Sequence, residues 1–247
     1  MFPLRDENPT ELVPLLTLAI IILNIGVWIT LQNAGSGQTF IDSLCEYGSI
    51  PGELTGAVPA GREIALGEYR CLAGGRTWST VWTSMFMHGG WGHLIGNMWF
   101  LWVFGNNVED SMGHLRFLVF YLLAGAAATA VHVFTGPSSA VPTVGASGAI
   151  SGVMGAYMVL YPRVRILTLV LVYLVYVPAW LMLGYWFLIQ FVSGSMAGGG
   201  AGVAFWAHVG GFVAGVVLVK PFERKQLVQA KRAGRKLSRD ELRGIRW

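Results

Sequence analysis

Apolar residues run through this chain in six long stretches, at residues 13–31, 91–104, 115–135, 147–161, 166–192 and 202–219. A helix needs about 20 residues to cross a ~30 Å hydrocarbon core at 1.5 Å per residue. The pattern predicts an all-α membrane protein, a bundle of six transmembrane helices. The fourth stretch departs from that length. It holds 15 residues before Pro162, or about 22 Å of helix, too little to reach from surface to surface. The preceding residues, 136–144, must therefore enter the membrane region as irregular backbone. Such backbone is tolerated only where it is buried in protein or faces a wet cavity. The fourth helix is expected to start below the outer surface, beside water.

Composition supports the bilayer as solvent. Apolar residues make up 54% of the chain and charged residues 12%, against about 25% charged in a typical soluble domain. Residues 111–219 contain no Asp or Glu, which a soluble domain of that length would not tolerate. The net charge is +4, and ten of the seventeen Lys and Arg residues fall in 220–247. A basic tail next to a membrane helix reads as a cytoplasmic segment touching anionic lipid, rather than a nucleic-acid site. Six spans put both termini on that side, and the Arg163–Arg165 turn agrees with it. The expected layout is a cytoplasmic N-terminus (1–12), a membrane domain (13–219) with a long outer loop (32–80), and a basic cytoplasmic tail (220–247). The first span is expected to be uncleaved, because Arg5 stands against Asp6, Glu7 and Glu11 in a poor signal-peptide n-region. The outer loop is expected to be partly structured on the membrane, with Trp78 and Trp82 at the interface. It carries both cysteines, Cys45 and Cys71. Facing an oxidising compartment they would form a disulfide; two free thiols are the alternative.

With this topology the second, fourth and sixth stretches run inward. Their outer ends carry His93, Ser147 and His208. Ionisable residues inside a membrane are costly and point to function. His208, Gly211 and Gly215 share one helical face, and Gly211 and Gly215 form a GxxxG pair that permits close helix contact. The fourth stretch offers a matching face of Gly148, Gly152 and Ala156. Two such faces would let Ser147 Oγ reach the imidazole. The alternative is plain GxxxG packing, with a histidine that only bonds a neighbour. Serine needs an adjacent base to act as a nucleophile, and neutral imidazole is the usual one. No carboxylate is available in spans three to six to orient it, so a Ser/His dyad is expected rather than a triad. Ser151, one turn on, reads as helix packing.

Acyl transfer also requires donors for an oxyanion. His93 and Asn97 stand at i and i+4 on one face, and the Ser147 backbone N–H lies at a helix start. His88 sits among glycines and is expected to reach in from the loop. A metal site of His88, His93 and His208 is the competing reading, weakened by the lack of a carboxylate or Cys ligand.

Taken together, Gly145-Ala146-Ser147-Gly148, His88, His93 and Asn97 at their spacing, and Ala207-His208 followed by Gly211 and Gly215 resemble the rhomboid family of intramembrane serine proteases. The resemblance covers about residues 13–219. It implies Ser147 as nucleophile, His208 as base, and His93, Asn97 and the Ser147 backbone as oxyanion donors, supported by His88. It implies cleavage of peptide bonds in or near transmembrane helices of other proteins, with no metal or organic cofactor, in a membrane such as the bacterial inner membrane. Two positions depart from the family pattern. A Trp-Arg pair in the first loop is Trp78-Ser79 here, and the aromatic residue one turn after the nucleophile is Ser151. The alternatives are a catalytically silent rhomboid-like protein that binds client membrane proteins, and a small transporter. The latter should distribute its polar groups along a pathway. The 166–192 stretch with Pro178, and the glycine-rich 193–202 segment, are candidates for a movable gate.

Overall fold

The computed structural model describes residues 1–75, 77–196, 204–235 and 241. Its elements in chain order are β1 (Phe2–Asp6), α1 (Leu15–Thr30), α2 (Gly37–Tyr47), α3 (Pro51–Thr55), β2 (Glu63–Leu66), β3 (Tyr69–Leu72), α4 (Thr80–Thr83), α5 (Trp91–Met112), α6 (His114–Thr135), α7 (Ser147–Leu160), β4 (Arg165–Val170), β5 (Tyr173–Pro178), α8 (Ala179–Met196), α9 (Phe205–Phe222) and α10 (Lys225–Arg232). Helices α6, α8 and α9 are long and apolar enough to cross a bilayer. Helices α1 and α7 are apolar but shorter, at 16 and 14 residues. Helix α5 has 22 residues and ends in a buried polar turn containing Asn107, Glu109 and Asp110.

Helix α7 is the hub. It packs on α5, α6, α8 and α9, and apart from Ser147, Tyr157 and the intermediate Met158 and Val159 its side chains are small or aliphatic and buried. Tyr157 stacks edge-on against Phe104 of α5 and Tyr161 just past its own helix. Its closest neighbour is α9. A Cβ at Gly211 would run into the carbonyl of Gly148, and one at Gly215 into the carbonyl of Gly152. These two glycines let the backbones touch.

The segment before α7 is irregular, as predicted, and its backbone is satisfied by the outer loop. Ser49 and Thr143 exchange backbone hydrogen bonds of 2.9 and 2.8 Å, Gly52 N–H donates to Ser139 O at 2.8 Å, and Thr55 Oγ1 donates to Pro137 O at 2.6 Å. The loop is more than a strap. It has its own apolar cluster, including Ile41, Ile50, Val58 and Ile64, and the β2–β3 hairpin is tied to α2 by a Cys45–Cys71 disulfide. The bridge resolves the two readings of the cysteines.

The 166–192 stretch is not a single span, which corrects the sequence expectation. Residues 165–178 form the β4–β5 hairpin, and β4 also pairs antiparallel with β1 from the N-terminus. The run is dense in β-branched and tyrosine residues, which suit a pleated surface. Leu171 turns the chain at φ +55°. Pro178 closes a strand instead of kinking a helix, and α8 starts directly after it. Hydropathy alone does not separate an apolar strand from a helix. Of the 193–202 segment, residues 193–196 belong to the end of α8; 197–203 lie outside the described residues, as do 236–240 and 242–247 of the basic tail.

The end of the bundle remote from Ser147 is held by a polar network. Glu109 accepts from Leu16 N–H (2.9 Å), Thr17 N–H (2.7 Å) and Thr17 Oγ1 (2.7 Å), satisfying donors left open at the start of α1. Asp110 accepts from Glu11 and Leu12 N–H and is ion-paired with Lys231 of α10. Arg232 donates to the Leu160 and Val159 carbonyls at 2.7 and 2.6 Å, closing the last turn of α7.

Candidate active site

Ser147 is the first residue of α7 and His208 lies in the first turn of α9. The close α7–α9 contact brings the two together across 61 residues of chain. His208 Nε2 lies 2.8 Å from Ser147 Oγ, within the reach a base needs to take a hydroxyl proton. Gly145, at φ +126°, aims the chain into the helix. A Cβ there would stand 2.7 Å from Cε1 and Nε2 of His93. Glycine therefore serves two needs at this position: the backbone angle and the room for an imidazole.

His93 and Asn97 both line the same cavity as Ser147 and His208, a space of about 760 Å³. Gly89 N–H points at His93 Nδ1 from 3.3 Å. A neutral His93 with Nδ1 as acceptor carries its proton on Nε2, the nitrogen nearer Gly145. Asn97 is buried, and its Nδ2 has no partner among the described residues. Both residues line the cavity that Ser147 lines. The Ser147 N–H is at a helix start, where backbone donors lack intrahelical partners.

His88 is fully buried but does not line the cavity. Its ring lies edge-on to that of His93, centroids 5.2 Å apart. Gln32 fixes its main chain on both sides: Gln32 Nε2 donates to His88 O at 2.7 Å, and His88 N–H donates to Gln32 Oε1 at 2.8 Å. His88 therefore backs His93. The three histidines His88, His93 and His208 do not form a metal-ligand cluster among the described residues.

A family model described as the rhomboid domain matches residues 75–224, which include every one of these residues except Gln32. The chain belongs to the rhomboid family. Among its relatives, the chain is 30% identical over 102 residues to RHOMBOID-like protein 5 of Arabidopsis thaliana, 41% of this chain and 33% of that protein. It is 32% identical over 145 residues to the rhomboid protease GluP of Bacillus subtilis, 59% of this chain and 24% of that protein. It is 30% identical over 167 residues to rhomboid protein 1 of Saccharomyces cerevisiae mitochondria, 62% of this chain and 45% of that protein. The chain thus spans less than half the length of these relatives.

Both departures from the rhomboid pattern acquire a structural account. Ser151 is buried and its Oγ donates back to Ser147 O at 2.6 Å, an intrahelical bond. The aromatic contact to the His208 ring comes instead from Trp186 of α8, centroids 5.8 Å apart at 38°. Sequence reasoning missed Trp186, and also Gln190 one turn later, whose Oε1 lies 2.8 Å from His208 Nδ1. The signal for Gln190 was present: it is the single Asn, Gln or charged residue in 167–192. At the other departure, Trp78 is largely exposed and, with Trp82, faces an apolar groove against α6. His132 also lines the cavity, bonded to Thr143 Oγ1 at 2.8 Å.

Proposed function

We propose that this rhomboid-family chain is an intramembrane serine endopeptidase that cleaves peptide bonds in or near transmembrane helices of other membrane proteins. The observation that carries the reading is the 2.8 Å approach of His208 Nε2 to Ser147 Oγ between two helix starts. Ser147 Oγ attacks the scissile carbonyl while His208 takes its proton. The oxyanion that forms is held by His93, Asn97 and the Ser147 N–H, with His88 supporting His93. His208 then returns the proton to the leaving amine, and water releases the acyl group by the same steps in reverse order of partners. Gly148, Gly152, Gly211 and Gly215 keep α7 and α9 close enough for the pair to meet. A substrate helix hides its peptide carbonyls in its own hydrogen bonds, so local unwinding must precede attack.

In this reading six helices, α1 and α5 to α9, span a membrane of the bacterial inner-membrane kind, with both termini and the basic tail in the cytoplasm. The membrane domain covers 13–219. The Ser147 end faces outward, on the same side as the disulfide-bonded loop, which agrees with an oxidising compartment there.

The test is cleavage of a reconstituted single-span substrate by the wild-type protein and by Ser147→Ala and His208→Ala. Each substitution is expected to abolish cleavage while leaving the melting temperature within a few degrees. Cleavage undiminished in Ser147→Ala would end the assignment.

A further inference from the structure

We infer that Gln190 is the positioning residue of the dyad, holding His208 in the tautomer and orientation that catalysis needs. The inference rests on the Ser147/His208 reading and adds a third member to it from a different helix. For Nε2 to take the Ser147 proton it must be unprotonated, so a neutral His208 must carry its hydrogen on Nδ1. The group facing Nδ1 at 2.8 Å is Gln190 Oε1. A carbonyl oxygen only accepts, so in this geometry it selects the Nδ1–H form. The same dipole stabilises the imidazolium that exists between proton uptake and return.

Two further observations favour this role over incidental contact. First, no Asp or Glu occurs in 111–219, so the orienting carboxylate of soluble serine hydrolases has no counterpart in these helices. A neutral amide does the orienting without burying a charge in a low-dielectric site. Second, Gln190 does not act alone. Trp186, at i−4 on the same face of α8, lies against the His208 ring and continues onto Phe212 of α9, centroids 6.2 Å apart at 29°. One face of α8 therefore fixes both the plane of the imidazole and its hydrogen position. Competence of the dyad then depends on the seating of α8 against α9, although neither reacting residue lies on α8.

The test compares wild type, Gln190→Leu, Gln190→Asn and Gln190→Glu in detergent micelles. The first readout is the rate at which a fluorophosphonate modifies Ser147. In that step the Oγ–P bond forms, fluoride leaves and the hydroxyl proton passes to His208, so the rate reports the dyad without a substrate helix. Loss of the acceptor in Gln190→Leu, or its retreat by one methylene in Gln190→Asn, should slow modification about 10- to 100-fold. With a transmembrane substrate, kcat should fall by the same factor while KM stays within about two-fold. Gln190→Glu keeps an acceptor of the same length and should restore the rate to within a few-fold of wild type. The second readout is ¹⁵N NMR of His208, expected to show Nδ1–H in wild type and a shift toward Nε2–H in Gln190→Leu. A folded Gln190→Leu that reacts at the wild-type rate with an unchanged tautomer would overturn the inference. So would a Gln190→Asn as fast as wild type, should the leucine variant fail to fold. If wild type itself does not react at Ser147, the protease reading fails, and the tautomer measurement still decides the role of Gln190.

Discussion

Asn97 illustrates how the surroundings of a single side chain argue for a task. It is buried on the cavity-facing side of α5, and its Nδ2 has no partner among the described residues. A buried donor left open costs about 1–3 kcal/mol, and a developing oxyanion beside Ser147 would repay that cost only in the transition state. Asn97→Ala is therefore expected to lower kcat about 10²- to 10³-fold, the range for removal of one oxyanion donor, with a smaller change in KM. Steady-state cleavage of a transmembrane substrate checks it, and a kcat within two-fold of wild type would remove Asn97 from the site. Ser147, His208, His93 and Asn97 were legible in the sequence because each is a polar group where hydropathy demands apolar ones. Gln190 has the same signature, but nothing local tells which neighbour it meets. Its partner is fixed by how α8 docks on α9. Gln32 is less legible still, since it pins His88 from 56 residues away.

At the scale of elements, the decisive contact is α7 on α9. Gly211 and Gly215 stand at GxxxG spacing in it, and the short α7 opens on a serine within reach of the half-buried His208. Gly215 is the tightest point, where an added Cβ would meet the Gly152 backbone rather than a movable side chain. Gly215→Val is expected to destabilise the protein by about 1–3 kcal/mol or more, a fall of several degrees in melting temperature. Gly26→Ala, where an added Cβ meets nothing within 4 Å, should leave it unchanged or slightly raised. Equal melting temperatures for the two variants would contradict the close approach. The β4–β5 hairpin was not legible. Its residues are as apolar as those of a span, and their strand state depends on pairing with β1, more than 150 residues earlier in the chain.

The whole molecule is organised as two polar ends joined by one apolar body, with α7 running between them. One end holds Ser147 and His208. The other ties β1, α5, α7 and α10 together, and Asp6 is part of it. Tyr157 Oη and Asn107 Nδ2 both donate to Asp6 Oδ2, at 2.5 and 2.8 Å. Burial pushes the Asp6 carboxyl up from 3.8 to about 6, against the lowering effect of the Tyr157 hydrogen bond. Between these two values the folded state holds more protons than the unfolded state, so this group's contribution to stability falls as pH rises from about 4 through 6. Asp6→Asn keeps an acceptor for Tyr157 and should flatten that part of the curve, with the larger stabilisation at pH 7. Melting temperatures of both proteins from pH 4 to 7.5 check the sign; parallel curves would contradict it. The central claim, that Ser147 and His208 at the opposite end form a peptide-cleaving dyad, is tested most directly by turnover in sealed proteoliposomes. Purified wild type, Ser147→Ala and His208→Ala are each co-reconstituted with a single-span substrate, and products are read by mass. The expected result is two fragments from wild type, cut in or beside the membrane span, and intact substrate with either variant. Intact substrate with wild type, or the same two fragments with Ser147→Ala, would contradict the account.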